Sequence, residues 1–283
     1  MPAETQRRVV ATLGGPGTFA GQATSAFLAR MPGLDAVEYR PTMDEIWAAA
    51  AAGAVDSAVL TSETTNTGLQ EIAERLLAPG VALHVNGEIL VPYHCLLLGQ
   101  PGTRLDQVRL VLGHGSLVHC RRYLAEHLPQ AEVRMHEKNS LAAAAEVLAA
   151  DGDIAVVGTA MSAQANGLAV LARDVDQHSV GAWWIMSGTL RLSPRPDVVL
   201  LAVSPAPGLD PGAVLGELLP QALASGLTVR GIAAVPAGDL FRYSYLVAFQ
   251  ATAVPAAAAT AQELAAQPGC RLIGAFESVA ADA

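Results

Sequence analysis

The sequence predicts an α/β fold of two lobes with a ligand cleft between them, followed by a smaller α+β domain. Short apolar runs alternate with helical patterns through residues 8–192, an order typical of sheets with mostly parallel strands. Residues 182–192 then form a strand that returns toward the first lobe. The chain therefore crosses twice between the lobes, and we expect a ligand in the cleft. Beyond the proline-rich residues 193–196 the pattern changes to β-α-β-β-α-β.

The first lobe is predicted to comprise about residues 8–80 and 176–192. Its opening apolar run ends in the glycine turn 14–17, and its second helix has an acidic first turn, which suits the positive end of a helix dipole. The predicted strands are 8–13, 37–39, 56–60 and 182–192, and the predicted helices are 18–28, 44–52 and a segment that ends at Leu77.

The second lobe is predicted over about residues 81–175. Its elements are again short apolar strands between helical patterns, and Gly167 is a reasonable left-handed cap for the last helix. The predicted strands are 82–91, 94–98, 107–112, 132–135, 154–157 and 168–172, and the predicted helices are 119–127, 140–150 and 160–166.

The C-terminal domain is predicted over residues 196–283, after a first domain of residues 1–192. Its β-α-β-β-α-β order is the ferredoxin-like arrangement. The predicted strands are 198–203, 228–234, 243–251 and 271–276, and the predicted helices are 212–224 and 256–266.

Composition excludes several classes of function. A chain of 283 residues that is 52% hydrophobic can bury a large core, and its net charge of −9 argues against nucleic acid as a partner. No apolar stretch approaches the ~18 residues of a membrane span, and residues 1–8 lack the apolar segment of a signal peptide. Three widely spaced cysteines fit reduced thiols, and no Cys/His spacing resembles a metal site. We therefore expect a cytoplasmic protein without membrane partners.

The glycine turn before the first helix is a candidate anion site. Gly17, Thr18 and Phe19 place a hydroxyl and unpaired amides at a helix N-terminus, which suits a carboxylate. A plain turn capped by Thr18 is the alternative interpretation. A nucleotide site is disfavoured, because neither a Walker lysine nor a Gly-x-Gly-x-x-Gly spacing is present.

Four further segments follow this turn along the chain. They are Thr61-Ser62-Glu63-Thr64-Thr65-Asn66-Thr67-Gly68, Gly87-Glu88-Ile89 with Pro92 and His94, Gly113-His114-Gly115-Ser116 ahead of Leu117-Val118-His119-Cys120, and Leu272-Ile273-Gly274-Ala275-Phe276.

With the opening turn, these segments resemble the prephenate dehydratase family in order and spacing. That family reads Gly-Pro-x-Gly-Thr-Phe, Pro-Ile-Glu-Asn-Ser-x-x-Gly, Gly-Glu-…-Pro-Ile-x-His, Ser-His-Pro-Gln-Ala-Leu-x-Gln-Cys and Thr-Arg-Phe. The resemblance covers nearly the whole chain. It implies a two-lobed, periplasmic-binding-protein-like catalytic domain with a central cleft, a C-terminal ACT domain, and a small carboxylate such as prephenate as the ligand.

The resemblance carries over to individual residues. His94, His114 and Glu63 match titratable positions and are candidate catalytic proton donors, together with Trp183 as a catalytic residue. A solvated loop is the alternative for residues 62–65, and a structural histidine on a strand is the alternative for His94. Ser140 is otherwise an ordinary helix N-cap. The candidate substrate-binding residues are Gly17, Thr18, Phe19, Ser62, Thr64, Thr65, Ser116, Ser140, Ala182 and Trp184.

The main departure from the family lies where it reads Thr-Arg-Phe. The chain has Ala182-Trp183-Trp184 there, or Gly181-Ala182-Trp183 if one residue is deleted. In the family the threonine is the hydroxyl that helps the substrate's ring hydroxyl to leave, and neither register keeps a hydroxyl or a guanidinium. Strand neighbours face opposite ways, so we expect only Trp183 to reach the cleft. Core filling by both tryptophans is the alternative.

This loss predicts altered chemistry on a similar substrate. Without the assisting hydroxyl, the ring carboxylate of prephenate still leaves, and its electrons are quenched by a proton on a ring carbon. The ring hydroxyl stays, as in the non-aromatising prephenate decarboxylases of peptide natural-product pathways, which are relatives of the dehydratases. No metal or organic cofactor is needed, because the substrate's own diene accepts the electrons.

Two other functions stay open. The chain is alternatively a true dehydratase of prephenate or of another hydroxy acid, or a non-catalytic protein that binds a carboxylate. In the ACT-like region the family's Glu-Ser-Arg-Pro, which serves phenylalanine binding, is replaced by Ala233-Ala234-Val235-Pro236. We therefore expect this domain to form a homodimer or tetramer rather than to mediate amino acid feedback.

Overall fold

The computed structural model describes residues 8–30, 36–137, 140–150, 152–176, 178–252 and 254–281. Within them the chain forms three sheets with flanking helices. The strands are β1 (Val9–Leu13), β2 (Ala36–Arg40), β3 (Ser57–Thr64), β4 (His84–Pro92), β5 (Leu96–Gly99), β6 (Leu110–Gly113), β7 (Glu132–Met135), β8 (Ile154–Gly158), β9 (Ala169–Ala172), β10 (Val180–Ser187), β11 (Val198–Val203), β12 (Leu227–Pro236), β13 (Tyr243–Ala251), β14 (Cys270–Phe276) and β15 (Ser278–Ala280). The helices are α1 (Phe19–Leu28), α2 (Met43–Ala51), α3 (Gln70–Leu77), α4 (Leu117–His127), α5 (Ser140–Ala149), α6 (Ala160–Asn166), α7 (Pro211–Ala224) and α8 (Val254–Ala265).

The first lobe is built on a six-stranded sheet in the order β15-β4-β10-β3-β1-β2. Strand β1 runs parallel to β2 and β3, whereas β10 lies antiparallel between β3 and β4. Strand β4 had been predicted in the second lobe from residue 81. Its pairing with β10 puts it in the first sheet, so the change of lobe comes after Pro92.

The second lobe has a five-stranded sheet in the order β7-β6-β8-β5-β9. The chain enters it between β4 and β5 and leaves it between β9 and β10, so two crossings join the lobes. Strand β5 begins at Leu96, which leaves His94 in the crossing rather than on a strand as predicted.

The C-terminal domain has a four-stranded sheet in the order β12-β13-β11-β14. Helices α7 and α8 cover one face, and the other face packs on the first lobe, where Val198, Leu200 and Phe276 share a buried cluster with Trp184. The predicted fold class, two α/β lobes and a ferredoxin-like domain, is confirmed. Strand β15 was not predicted; it returns to the first lobe and pairs in parallel with β4.

One further property concerns membranes. Among the helices of the described residues, none has the length and apolar character that a bilayer crossing requires.

Candidate active site

A cavity of about 390 Å³ lies between the two lobes, a size that suits a small organic ligand. Its described lining contains no Asp, Glu, Lys or Arg, and His114 is its one histidine. The lining residues are Leu13, Gly14, Thr18, Phe19, Ala20, Tyr39, Pro41, Thr61, Tyr93, His114, Gly115, Ser116 and Trp183.

The N-terminus of α1 opens onto this cavity. The Thr18 hydroxyl caps the helix, because its Oγ1 accepts from the Gly21 amide at 3.1 Å and donates to the Gly15 carbonyl at 2.8 Å. The hydroxyl hydrogen of Thr18 is therefore already donated to a backbone carbonyl, so this group does not fit the anion-binding role that was predicted for it. The amides of Phe19 and Ala20, in the first turn of the helix, have no acceptor within it and are suited to bind an anion.

The N-terminus of α4 reaches the same cavity from the second lobe through Gly115 and Ser116. Ser116 occupies the cap position and is buried, but its side chain makes no capping hydrogen bond. Two helix N-termini thus meet at one cavity from opposite lobes, and both favour negative charge on a ligand.

His114 lies in the cavity wall ahead of α4. Its Nδ1 is 3.1 Å from the carbonyl oxygen of His136, and because a carbonyl only accepts, Nδ1 carries the hydrogen. This bond fixes the ring orientation. Nε2 is the ring nitrogen that takes no part in this bond.

Three aromatic side chains form the apolar wall of the cavity. The ring of Tyr93 lies 4.4 Å from that of Phe19 and 5.7 Å from that of Trp183, measured between centroids. Burial raises the pKa of Tyr93, so its phenol stays neutral. The indole Nε1 of Trp183 is buried without a hydrogen-bond partner among the described residues, which costs about 1–3 kcal/mol.

Gly181 lies on the same face of β10 as Trp183. A Cβ at this position would come 2.6 Å from Cζ3 of Trp183 and 2.7 Å from Cε2 of Tyr93. Those distances are well inside van der Waals contact, so the two rings occupy the space that a side chain at 181 would need. The face of β10 toward the cleft therefore offers an aromatic surface.

Behind Tyr93 lies a polar pair that the sequence analysis did not identify. His119 is buried and stacks on Tyr93 with ring centroids 4.3 Å apart, and its Nδ1 accepts from the Asn66 side-chain amide at 2.8 Å. Burial lowers the pKa of His119, although Asp176 opposes this shift. His119 is therefore neutral around pH 7 and supports the wall rather than supplying charge.

The neighbours of Trp183 on β10 face the opposite side of the sheet. Trp184 belongs to the cluster shared with the C-terminal domain, and its Nε1 donates to Glu88 Oε2 at 3.0 Å. Ala182 pairs with Glu63 and is buried on that same side. Both had been predicted to bind substrate, and the alternation of strand faces removes them from the cavity.

Glu63 also lies behind the sheet, although Thr61 two residues earlier lines the cavity. A β-bulge at Ser62 breaks the two-residue alternation of β3, and the Ser62 hydroxyl donates to the Ala182 carbonyl at 3.2 Å. The Glu63 carboxylate pairs with Arg230 at 2.7 Å. Glu63 is therefore not positioned as a proton donor, and Ser62 is not positioned to bind substrate.

Most other predicted residues also serve the framework. Thr65 bonds both backbone groups of Val180, and the Thr64 hydroxyl bonds that of Thr67. The His94 side chain is 68% exposed, 4.0 Å from Asp174, and borders a separate cavity of about 420 Å³ together with Gly17. Ser140 begins α5, and its side chain lies outside the described residues.

Residues missed by the sequence analysis were Tyr39, Thr61, Tyr93 and the Asn66–His119 pair. Tyr93 and Thr61 lie inside quoted motifs, and Tyr93 is an aromatic residue directly after β4, at the start of the first crossing. That combination is a sequence signal for a cleft wall. The Asn66–His119 contact joins residues from the two lobes and has no signal in either segment alone.

Comparison with known proteins agrees with this architecture. The family model described as prephenate dehydratase matches residues 10–187, the span of both lobes. The prephenate dehydratase of Mycolicibacterium vanbaalenii is 35% identical over 54% of this chain and 46% of that protein. The prephenate dehydratase of Bacillus subtilis is 28% identical over 95% of this chain and 98% of that protein.

A solved structure shows the same fold over nearly the whole chain. The Arthrobacter aurescens prephenate dehydratase in complex with L-Phe has a TM-score of 0.73 and 26% identity, over 95% of this chain and 89% of that one. Several curated relatives are longer proteins, and the match spans about half of their length or less. Since the family model covers well over half of the sequence, the chain belongs to the prephenate dehydratase family.

Proposed function

We propose that this protein decarboxylates prephenate without aromatising the ring and yields a dihydro-4-hydroxyphenylpyruvate. The supporting observation is that the rings of Trp183 and Tyr93 occupy the space beside Gly181. Gly181, and not Ala182, faces the cleft, so the register with one deleted residue puts the family's threonine at 181. The rings of Trp183 and Tyr93 fill the space of that hydroxyl, and assistance to the departing ring hydroxyl is lost.

The cavity suits the substrate's charges. Prephenate carries a ring carboxylate and a pyruvyl carboxylate, and the N-termini of α1 and α4 provide two sites for anions. No acidic side chain is present in the described lining, so an analogue with an ammonium group in place of the oxo group would find no counter-charge. This favours an oxo acid over an amino acid.

The proposed reaction balances without a co-reactant. The bond between C1 and the ring carboxylate breaks and CO2 leaves. The electron pair forms a new ring double bond, the neighbouring π bond shifts, and a ring carbon takes up one proton. The C4 hydroxyl stays. The aromatic wall of Phe19, Tyr93 and Trp183 gives the departing group apolar surroundings, which suit neutral CO2 better than a carboxylate.

His114 is the proton donor in this proposal. It is the one imidazole of the described lining, and its Nδ1 bond to His136 leaves Nε2 for the transferred proton. A positioned acid of this kind contributes about 10²–10⁴-fold to a rate. His114→Gln is therefore expected to lower turnover by a factor of that size while prephenate still binds.

The test is incubation of the purified protein with prephenate, followed by ultraviolet absorbance and product mass. The proposal predicts a product that has lost CO2 and kept the hydroxyl. Phenylpyruvate as the main product would refute the proposal and show a dehydratase instead. The observation that supports this alternative is the match to the family model. Binding without turnover would leave a carboxylate-binding protein.

A further inference from the structure

Glu88 is a buried carboxylate at the junction of the first lobe and the C-terminal domain. Its side chain has no exposed surface, yet it accepts four hydrogen bonds. Arg230 donates to both oxygens at 2.8 and 2.9 Å, the Trp184 indole at 3.0 Å, and the Ser278 hydroxyl at 2.6 Å. A buried charge requires this degree of compensation, because desolvation otherwise outweighs its attractions.

Arg230 joins this carboxylate to a second one. Its Nη2 is 2.7 Å from Glu63 Oε1, so one guanidinium from the C-terminal domain pairs with two acids of the first lobe. Burial alone would lower the pKa of Arg230, but its bonds to Glu88 and Glu63 raise it. We call Glu63, Glu88, Trp184, Arg230 and Ser278 the Arg230 cluster.

Two β-bulges bring the cluster together. The register of β12 shifts at Arg230, and the side chain of this extra residue reaches the carboxylates of the first lobe. The bulge at Ser62 in β3 turns Glu63 to the same side. With the one-deletion register, the family's arginine would fall on Ala182, which pairs with Glu63. Arg230 supplies from another domain the cation that β10 lacks.

The cluster lies directly behind the cavity wall. Trp184 is the neighbour of Trp183 on β10, and Glu63 lies two residues after Thr61 on β3, so each anchored residue is close in the chain to one that faces the cavity. A shift of β10 relative to β3 would therefore displace Trp183 relative to Thr61 in the cavity wall.

We propose that Arg230 is a positioning residue for the cleft: by binding Glu88 and Glu63 it fixes β10 against β3 and β4 and so sets Trp183 in the cavity wall. The ACT-like domain thereby acts as a permanent clamp on the catalytic lobe. The expected effect on kcat with prephenate rests on the proposed function, whereas the fixed position of Trp183 does not.

The experiment compares Arg230→Met, the double variant Arg230→Met with Glu88→Gln, and Arg242→Met. Arg242 is a matched control, because its bonds to Leu209 and Asp239 stay within the C-terminal domain. Arg230→Met alone leaves a buried carboxylate without its cation and is expected to melt at lower temperature. The double variant removes both charges together and is expected to melt closer to the original protein.

Two readouts are taken on the folded double variant. The first is kcat and KM with prephenate, where positioning predicts a kcat lowered by about tenfold to a hundredfold with a smaller change in KM. The second needs no turnover. In a background with Trp47→Phe and Trp184→Phe, Trp183 is the one remaining tryptophan, and its acrylamide quenching should rise several-fold over the same background with Arg230 and Glu88 intact.

The outcomes are distinct. Raised quenching supports the clamp even if the original protein proves inactive, an event that refutes the proposed function alone. Unchanged quenching in the double variant overturns the clamp. A double variant with the original kcat would also overturn the clamp, because the cluster would then stabilise the fold without positioning the cleft. An equal loss of kcat in Arg242→Met would also overturn it.

Discussion

The double variant Gly181→Thr with Trp183→Phe is predicted to restore aromatising chemistry. It returns a hydroxyl to the position that faces the cleft and replaces the indole with the phenylalanine that the family has two residues later. Phenylalanine lacks the outer ring atoms Cζ3 and Cη2 of the indole, and these lie 2.6 and 2.7 Å from a Cβ at 181. The replacement therefore removes the Trp183 part of the overlap.

The size of the effect follows from these contacts. Gly181→Thr alone must displace the rings of Trp183 and Tyr93, and such overpacking costs about 1–3 kcal/mol of folding free energy. In the double variant only the Tyr93 contact is left to adjust. A positioned hydroxyl that assists the leaving group contributes about 10²–10⁴-fold. Phenylpyruvate should then rise from a trace to a main product.

The assay is the product ratio by ultraviolet absorbance and mass, with thermal melting as the check on folding. Trp183→Phe alone is the control for space without the hydroxyl, and it should form no phenylpyruvate. Ala182→Thr tests the other register and should also form none, because residue 182 pairs with Glu63 behind the sheet. Phenylpyruvate from Ala182→Thr, but not from the double variant, would refute both the register and the reasoning from strand faces.

Three further predictions concern the site and its supports. His114→Gln should lower turnover by about 10²–10⁴-fold with little change in melting temperature, and equal loss of binding would contradict its role as proton donor. Gly274→Ala should destabilise by about 1–3 kcal/mol or more, because a Cβ there would overlap the backbone of β4. Gly216→Ala is its control: that position in α7 is open, and the change should stabilise by about 0.5–1 kcal/mol. Burial lowers the pKa of His119, so the unfolded chain binds its proton more readily. This contribution to stability is complete above the ordinary value of 6.5 and is lost as pH falls below it. In His119→Gln the melting temperature should depend less on pH between about 6.5 and lower values. An unchanged pH profile of the melting temperature would contradict the assignment.

Local patterns were sufficient to predict most of the elements. Apolar runs and glycine caps predicted the strands and helices in their order along the chain, apart from β15, and Gly167 ends α6 in the left-handed conformation as expected. Face assignments succeeded on β10, which pairs in continuous register with β4 from Val180 to Ile185. Along such a strand the two-residue period holds, and Trp183 lines the cavity while Trp184 does not.

The same period failed on β3. The bulge at Ser62 comes from pairing with β10, a strand 120 residues away, so the sequence around Glu63 contains no trace of it.

Thr18 shows a different limit of prediction from sequence. A hydroxyl at a helix start predicts either a cap or an anion ligand, and only the bond to Gly15 decides between them. Arg230 had no role in the sequence analysis, because its partners belong to other strands and another domain.

Strand β15 has a consequence for how the chain folds. It covers the outer edge of β4, where the Ala281 amide bonds Leu90 and the Arg30 guanidinium bonds Ala280. The first lobe thus contains pairings that span most of the sequence, a high contact order that slows folding. During synthesis the N-terminal lobe waits for its last strand until residue 280 has left the ribosome. Until then its β4 edge is open to other unpaired strands, an exposure that favours aggregation during synthesis.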